Sequence, residues 1–188
     1  MHYNDKMKQD ISKEIQIPEN VNVEINGFTV AVTGPLGKTE RNFPHDFMSM
    51  EKRGNLVVLS SKKATKREKK ITGAIAAHIK NMVLGVTRVF EYKLQVCSVH
   101  FPISVAVDPA KKFVIIKNFL GETKERKAEI LEDTSVKIER EVITVTSIDK
   151  EKASQTAANI EMATRIKSRD RRVFQDGIFM IEKDGRKI

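Results

Sequence analysis

The chain contains few of the residues on which several protein classes depend. Its 188 residues include one cysteine and no tryptophan, and aromatic residues make up 6% of the total. A lone Cys97 cannot form a disulfide within the chain, so a disulfide framework is excluded and an intracellular location is expected. The scarcity of aromatic rings disfavours the reading of single-stranded nucleic acid by base stacking.

Long hydrophobic runs are also missing. No apolar stretch approaches the roughly 20 residues that a helix needs to span a bilayer. The segment from Met1 to Ser12 is polar and has no apolar core of the secretory type. We therefore expect neither membrane insertion nor secretion, and no membrane partner.

Motifs for catalysis, cofactors or metals are incomplete. Gly37-Lys38-Thr39 is similar to the end of a phosphate-binding P-loop, but Val32 stands where that motif requires an earlier glycine. Cys97 and His100 have a spacing that could ligate a metal, yet a structural zinc site needs four ligands and no second pair is usable. The four histidines are scattered, without a catalytic context. We expect no cofactor, no metal and no enzymatic activity.

Positive charge is the main compositional excess. The chain has 34 Lys and Arg against 25 Asp and Glu, a formal net charge of +9. Such an excess points to a polyanionic partner, either nucleic acid or an acidic membrane surface. The basic residues concentrate in a first group, Lys62, Lys63, Lys66, Arg67, Lys69 and Lys70, and in a second, Arg165, Lys167, Arg169, Arg171 and Arg172, followed by Lys183, Arg186 and Lys187. Either group alone could be a solvated face, but two in one chain favour phosphate neutralisation.

One sequence pattern occurs twice. Pro18 and Pro102 each begin a Pro-x-x-Val-x-Val pattern, and each copy ends in an alanine-rich helical pattern, near Ala76 and Ala157. At the same offset, Val30, Val32, Leu36, Gly37 and Thr39 recur as Val114, Ile116, Leu120, Gly121 and Thr123. Two copies are too few for a solenoid, so the repeat predicts two tandem domains.

Each copy has a sheet pattern followed by a helix pattern. In the first, strand alternation on both sides of Asn26-Gly27 predicts a hairpin. A stripe of Ile71, Ile75, Ile79 and Met82 then predicts a helix from Ala64 to about Val83, closing near Gly85.

The second copy opens with an additional strand pattern. It consists of Val86, Phe90, Tyr92, Leu94 and Val96. The later helix carries a narrow small-residue stripe, Ala153, Ala157, Ile160 and Thr164. The predicted fold class is α+β, with two tandem homologous domains, each an antiparallel-rich sheet packed against one helix. We place the first at 1–84, with a short polar N-terminal extension, and the second at 85–188, with a basic C-terminal tail.

The patterns of common nucleic-acid-binding modules are missing. The sequence has no zinc-finger spacing, no helix-turn-helix pair and no RNP aromatic signature. Structured RNA, bound through phosphates, 2′-hydroxyl groups and shape, requires basic loops more than aromatic platforms. Ribosomal RNA is the abundant example of such a partner.

Six short segments follow one another from Ile17 to about Lys183. They are Ile17-Pro18-Glu19-Asn20-Val21, Gly34-Pro35-Leu36-Gly37, Asn81-Met82-Val83-Leu84-Gly85-Val86-Thr87, His100-Phe101-Pro102-Ile103, Asn118-Phe119-Leu120-Gly121-Glu122 and Asp176-Gly177-Ile178. In this order they resemble the large-subunit ribosomal protein six family, called protein nine in eukaryotes. The pair Tyr92-Lys93 resembles archaeal and eukaryotic members, and we interpret the chain as a eukaryotic-type cytosolic member.

The resemblance implies a fold of two homologous α+β domains and a structural role in the large ribosomal subunit. It implies binding to large-subunit rRNA near the sarcin-ricin loop and the factor-binding region, mainly through the second domain. Neighbouring ribosomal proteins, and translation factors at the same site, are the further partners it implies, in the cytoplasm. The residues expected to contact RNA are Lys62, Lys63, Lys66, Arg67, Lys69, Lys70, Asn118, Gly121, Lys167, Arg169, Arg171, Arg172, Gly177, Lys183, Arg186 and Lys187.

The sequence departs from the eukaryotic pattern in its polar extension, Met1 to Ser12, and in Leu36, where a basic residue is common. An RNA contact through position 36 is therefore not carried over from the family. A protein-interaction module, with paired domains that bind each other or acidic partners, is the main alternative function. An RNA-processing enzyme is a weaker one, because the required cluster of carboxylates or histidines is missing.

Overall fold

Two units of similar design follow one another along the chain. The computed structural model describes residues 8–108, 110 and 112–188, so residues 1–7 of the predicted extension lie outside it. The first unit reaches to Arg88 and the second runs from Val89 to Ile188. The division predicted after residue 84 falls in the last turn of the first unit's helix.

The first unit contains six strands and one helix within the described residues. The strands are β1 (Gln9–Gln16), β2 (Asn22–Asn26), β3 (Thr29–Gly34), β4 (Gly37–Asn42), β5 (Ser49–Arg53) and β6 (Leu56–Ala64), followed by helix α1 (Lys66–Gly85). They form two antiparallel sheets, with strand orders β1-β6-β5 and β2-β3-β4. The predicted hairpin is confirmed as β2 and β3, joined through Gly27 in the left-handed region with φ +63°.

The second unit contains eight strands, a 3-10 turn and one helix in the part of the chain that the structure describes. The elements are β7 (Phe90–Cys97), β8 (Ser104–Val107), β9 (Phe113–Lys117), the turn Phe119–Gly121, β10 (Arg126–Glu129), β11 (Thr134–Glu139), β12 (Val142–Ser147), α2 (Lys150–Ala163), β13 (Gly177–Lys183) and β14 (Arg186–Lys187). Its sheets, also antiparallel, have the orders β10-β9-β8 and β11-β12-β7-β13-β14.

The duplication predicted from the sequence is visible in the topology. The order β1-β6-β5 corresponds to β7-β12-β11, and β2-β3-β4 corresponds to β8-β9-β10, with one helix after each set. The α+β class with two tandem homologous domains is confirmed. The second unit differs by the addition of β13 and β14 beside β7.

Both helices begin with a capping side chain and bury one stripe. Thr65 and Glu68 form a capping box on α1, in which the Thr65 amide donates to Glu68 Oε2 at 2.6 Å. Asp149 caps α2 by accepting from the Glu151 amide at 2.8 Å. On α1, Ile75, Ile79 and Met82 of the predicted stripe are buried and Ile71 is half-buried. The stripe of the second helix is confirmed, because Ala153, Ala157, Ile160 and Thr164 are all buried.

Three sequence predictions are corrected by the structure. Val86 does not belong to a strand; it is the C-cap of α1, where its carbonyl accepts from the Leu36 amide at 3.1 Å. Gln9 to Ser12 are not part of an extension, because they lie in β1 and pair with β6. The predicted C-terminal tail is not a tail either. Its residues from Gly177 onward form β13 and β14, and β13 is hydrogen-bonded along β7.

The two helices do not have the properties of membrane spans. In the described part of the chain, neither helix combines the length and the apolar character that crossing a bilayer requires.

Candidate nucleic-acid interface

The first basic cluster, which comprises Lys62, Lys63, Lys66, Arg67, Lys69 and Lys70, surrounds the start of α1. All six side chains are exposed, and none forms an ion pair with another described residue. Glu68, the acid among them, is occupied in the capping box. The positive end of the helix dipole adds to the same field. The local positive charge is therefore available to an anionic partner.

The turn of residues 118–122 connects β9 to the segment before β10, and its backbone is conformationally costly. Asn118, Leu120 and Gly121 all have positive φ, at 58°, 51° and 76°. The Asn118 side-chain amide donates to the Pro102 carbonyl at 3.0 Å. A side chain at position 121 would be strained in this region, which explains the glycine. The turn is thus held in one shape, with Asn118 and Gly121 exposed.

Arg126 holds this turn against the end of α2. Its guanidinium group forks onto Glu122, at 2.8 Å and 2.6 Å, and donates to the Ala163 carbonyl at 2.9 Å. The guanidinium carbon also lies 4.3 Å from the centre of the buried Phe119 ring. The hydrogen bonds from Arg126 lower the pKa of Glu122, and the charges of Arg126 and Arg169 act in the same direction. Arg126 therefore fixes the turn beside the loop that follows α2.

That loop, residues 164–176, is called the basic loop below. Its first residue, Thr164, accepts from the Ile178 amide at 2.9 Å through its hydroxyl, which donates to the Glu161 carbonyl at 3.1 Å. Its last residue, Asp176, has a buried carboxylate that accepts from the Val99 and His100 amides at 2.7 Å and 2.9 Å. Both ends of the basic loop are therefore fixed by hydrogen bonds.

A stack of side chains supports the middle of the basic loop. The His100 Nδ1 lies 2.6 Å from Asp176 Oδ2, and the His100 ring stacks on Phe174 with the centroids 5.0 Å apart. The Arg169 guanidinium lies 4.8 Å from the centre of the same Phe174 ring. A buried carboxylate thus orients a surface arginine through two stacked rings.

The cations of the basic loop differ in how far they are neutralised. Arg172 is paired with Asp170, with Nη2 to Oδ2 at 2.9 Å, and this contact lowers the pKa of Asp170. Lys167, Arg169 and Arg171 are exposed, and none has an ion-pair partner among residues 8–108, 110 and 112–188. These three are therefore the cations best placed to meet phosphate groups.

The structure separates the remaining predicted residues from this site. Lys183, Arg186 and Lys187 lie at the far end of β13 and on β14. A strand rises about 3.3 Å per residue, so the length of β13 places them roughly 20 Å from Gly177. Gly177 itself is buried, and a Cβ there would lie 3.0 Å from the Phe179 ring. Packing explains this glycine, and its contact with RNA stays a prediction.

Sequence analysis missed the residues that shape the site. Asp176 and His100 belong to two of the six segments that resemble the family, and His100 has a spacing from Cys97 that could ligate a metal. No pattern predicts that Asp176 and His100 contact each other. Arg126 was not singled out at all. No local sequence pattern indicates these contacts, because His100 and Asp176 lie 76 residues apart in sequence and Arg126 and Ala163 lie 37 apart. Among the described residues, no group of His, Cys, Asp or Glu is arranged to hold a metal ion.

The Asp176 network predicts a pH dependence. Burial opposes ionisation of this carboxyl, but the hydrogen bonds from His100 and Val99 outweigh it and lower the pKa from 3.8 to about 2. A carboxyl whose pKa is lower in the folded state than in the unfolded state stabilises the protein at pH values above its unfolded-state pKa. That stabilisation is lost as the pH falls through the folded-state pKa. We expect the urea concentration at the unfolding midpoint of the second unit to decrease as the pH is lowered from about 4 to about 2. The decrease should be smaller in Asp176→Asn. An identical decline in the variant would contradict this assignment.

Comparisons with known proteins found relatives that match both units. The model of a family described as ribosomal protein L6 matches residues 17–89 and again residues 101–177, once in each unit. The "Large ribosomal subunit protein uL6" of Staphylothermus marinus is 48% identical over 174 residues, which cover 92% of this chain and 94% of that protein. The proteins of the same name from Desulfurococcus amylolyticus and Methanobrevibacter smithii are each 44% identical. They cover 92% and 93% of this chain, and 95% and 97% of their own lengths.

These relatives are archaeal proteins. They confirm the family predicted from the six segments and the archaeal and eukaryotic type predicted from Tyr92-Lys93. The narrower interpretation of a eukaryotic-type member stays a prediction.

Proposed function

The chain belongs to the ribosomal protein L6 family, and from this premise we propose that it is a structural component of the large ribosomal subunit that binds large-subunit rRNA. In this proposal the second unit makes the main contact, through the basic loop and the turn of residues 118–122. The site lies near the sarcin-ricin loop and the factor-binding region of a cytoplasmic ribosome. Neighbouring ribosomal proteins are its other partners, with translation factors at the same site.

The observation that best supports the proposal is that two segments distant in sequence, the turn of residues 118–122 and the basic loop, lie next to each other. Arg126 joins the turn of residues 118–122 to the end of α2, where the basic loop begins. A cleft of about 520 Å³ lies between them, lined by Lys127, Lys167 and Arg169 among others. Cations on both walls of one cleft are suited to an RNA backbone, because each neutralised phosphate releases condensed counterions.

The chemistry of the cleft favours recognition of backbone and shape. Guanidinium groups fork onto phosphate oxygens, and Arg169 is held in position by the Phe174 ring. The exposed turn offers backbone groups and the Asn118 amide at a fixed geometry. Such groups suit ribose hydroxyls and phosphates of a folded RNA. The structural role then follows, because a rigid surface fixes the RNA that it contacts.

The first basic cluster supplies a second, weaker contact in this proposal. Its charges are exposed, with Lys62 and Lys63 at the end of β6 and the other four in the first turns of α1, and they line no described cleft. Flexible lysines contribute attraction but little geometric specificity. They therefore add to affinity rather than determine the site.

Sedimentation of a cell extract tests the proposal. We expect the tagged full-length chain to migrate with the large ribosomal subunit, and to leave that fraction after RNase treatment. The purified protein should bind transcribed large-subunit rRNA on filters, with log affinity falling linearly against log salt. A chain that stays at the top of the gradient, or forms an RNase-resistant complex with acidic proteins, would refute the proposal in favour of a protein-interaction module.

A further inference from the structure

A second concave site adjoins the cleft and shares Met162, Arg165 and Ile166 with it. It is a cavity of about 650 Å³ between the end of α2, the basic loop and the start of β13. Cys97, Val99, Met162 and Phe179 contribute apolar surface to its lining. Val99 is 66% exposed, Met162 63% and Phe179 37%, so this apolar surface faces water in the isolated chain.

Two cations flank this apolar surface. Arg165 and Arg171 both line the cavity and are exposed. Neither pairs with an acidic group in the part of the chain described, in contrast to Arg172 on Asp170. An apolar cavity between two unneutralised guanidinium groups requires an occupant that is apolar in the middle and anionic on both sides.

The interior of the cavity, by contrast, disfavours an anion. Asp176 lines it with a carboxylate that stays ionised, and Glu161 adds a second carboxylate. The C-terminal end of α2, with its partial negative charge, points at the same place. An acidic side chain or a free phosphate would therefore be repelled from the interior.

We propose that this cavity receives the base of a single unstacked rRNA nucleotide, whose flanking phosphates bind Arg165 and Arg171. A base is flat and uncharged, and the phosphates on its two sides match the two arginines. Folded RNA offers such splayed-out bases in loops and bulges. An apolar protein side chain fits the interior less completely, because its flanking amides would leave both arginines without a counter-charge. The inference rests on the proposed function and adds the mode of contact.

The framework around the cavity is fixed before any ligand arrives. Thr164 joins α2 to β13, and Asp176 holds Val99 and His100. Gly177 leaves room for the Phe179 ring, because a Cβ there would lie within 3.2 Å of two of its atoms. A preformed site loses less affinity to ordering of the protein.

Cys97, the sole cysteine of the sequence, provides a direct readout at the cavity. With the full-length protein, we expect saturating large-subunit rRNA transcript to slow alkylation of Cys97 by N-ethylmaleimide about tenfold. The double variant Val99→Ala, Phe179→Ala changes side chains that line the cavity but not the cleft. It should bind that transcript about tenfold more weakly, with an unchanged salt slope, because stacking is lost and charge is not.

The matched control is Val89→Ala, Phe113→Ala. These side chains are 46% and 37% exposed but line neither the cavity nor the cleft, and we expect wild-type affinity. If the wild-type chain binds rRNA, but rRNA leaves Cys97 alkylation unchanged and the Val99, Phe179 variant keeps its affinity, the inference alone is overturned. So would a variant that binds bare rRNA normally but enters large subunits poorly, since the cavity would then receive a protein segment. Failure of the wild-type chain to bind rRNA would overturn the proposed function itself.

Discussion

Replacement of Asp176 by alanine is expected to destabilise the second unit by about 2 to 4 kcal/mol, because two backbone amides lose a charged acceptor. The amides belong to Val99 and His100, and the carboxylate that serves them is itself 1% exposed. The same change removes the partner of the His100 ring. Because that ring stacks on Phe174, which in turn lies against Arg169, the position of Arg169 is no longer fixed. RNA affinity should therefore fall together with stability. Urea denaturation followed by circular dichroism measures the first effect, and filter binding below the transition measures the second.

Asp170→Ala is the matched control for this change. Asp170 is a carboxylate of the same loop, but it is exposed and paired with exposed Arg172. Exposed ion pairs contribute little to stability, so the urea midpoint of this variant should stay near the wild-type value. Equal midpoints for Asp176→Ala and the wild type would show that Asp176 does not hold the loop.

The second large effect concerns charge. Simultaneous replacement of Lys167, Arg169 and Arg171 by alanine should weaken binding to large-subunit rRNA roughly a hundredfold near physiological salt, because three charge-assisted contacts are lost. The slope of log affinity against log salt should become shallower by about one unit per lost phosphate contact. The three side chains are exposed, so the thermal midpoint should change little. A filter-binding series across salt concentrations gives both numbers.

A variant with the same change in net charge separates the site from a general field effect. Lys66→Ala, Lys69→Ala, Lys70→Ala removes three cations from the first basic cluster. We expect a clearly smaller loss of affinity, because no fixed cleft presents these lysines. Equal losses for the two triple variants would mean that binding follows net charge, and the assignment of the main contact to the second unit would be wrong.

Periodic apolar residues made some elements predictable from sequence and left others hidden. β2 and β3 alternate valine and isoleucine around Asn26-Gly27, and α1 shows a stripe of three buried apolar residues, so local pattern was sufficient. β1 is a strand with Ile15 as its buried residue, and β4 is polar throughout. Their strand character comes from pairing with β6 and β3, which no local pattern records.

Some features of the candidate site could likewise be predicted from the sequence, and others could not. The two basic clusters were found because charge density is a local property of the sequence. The family resemblance put Asn118 and Gly121 among the expected RNA contacts. The contact of their turn with the end of α2 was not predicted, since Arg126 creates it across 37 residues. The pairing of Asp176 with His100 depends on β13 lying beside β7, a consequence of the complete fold.

The pairing of β13 with β7 also determines when the second unit can fold during synthesis. β7, the central strand of the larger sheet, can pair with β13 only after Gly177, which lies opposite Cys97 and 80 residues later in the chain, has been synthesised. The first unit, whose strands and helix all precede Arg88, can fold long before that point, since domains fold in order from the N-terminus during translation. The basic loop stays unanchored until β13 docks, because Thr164 and Asp176 gain their partners only then. In a growing chain the first basic cluster is therefore complete early, and the basic loop reaches its fixed conformation last.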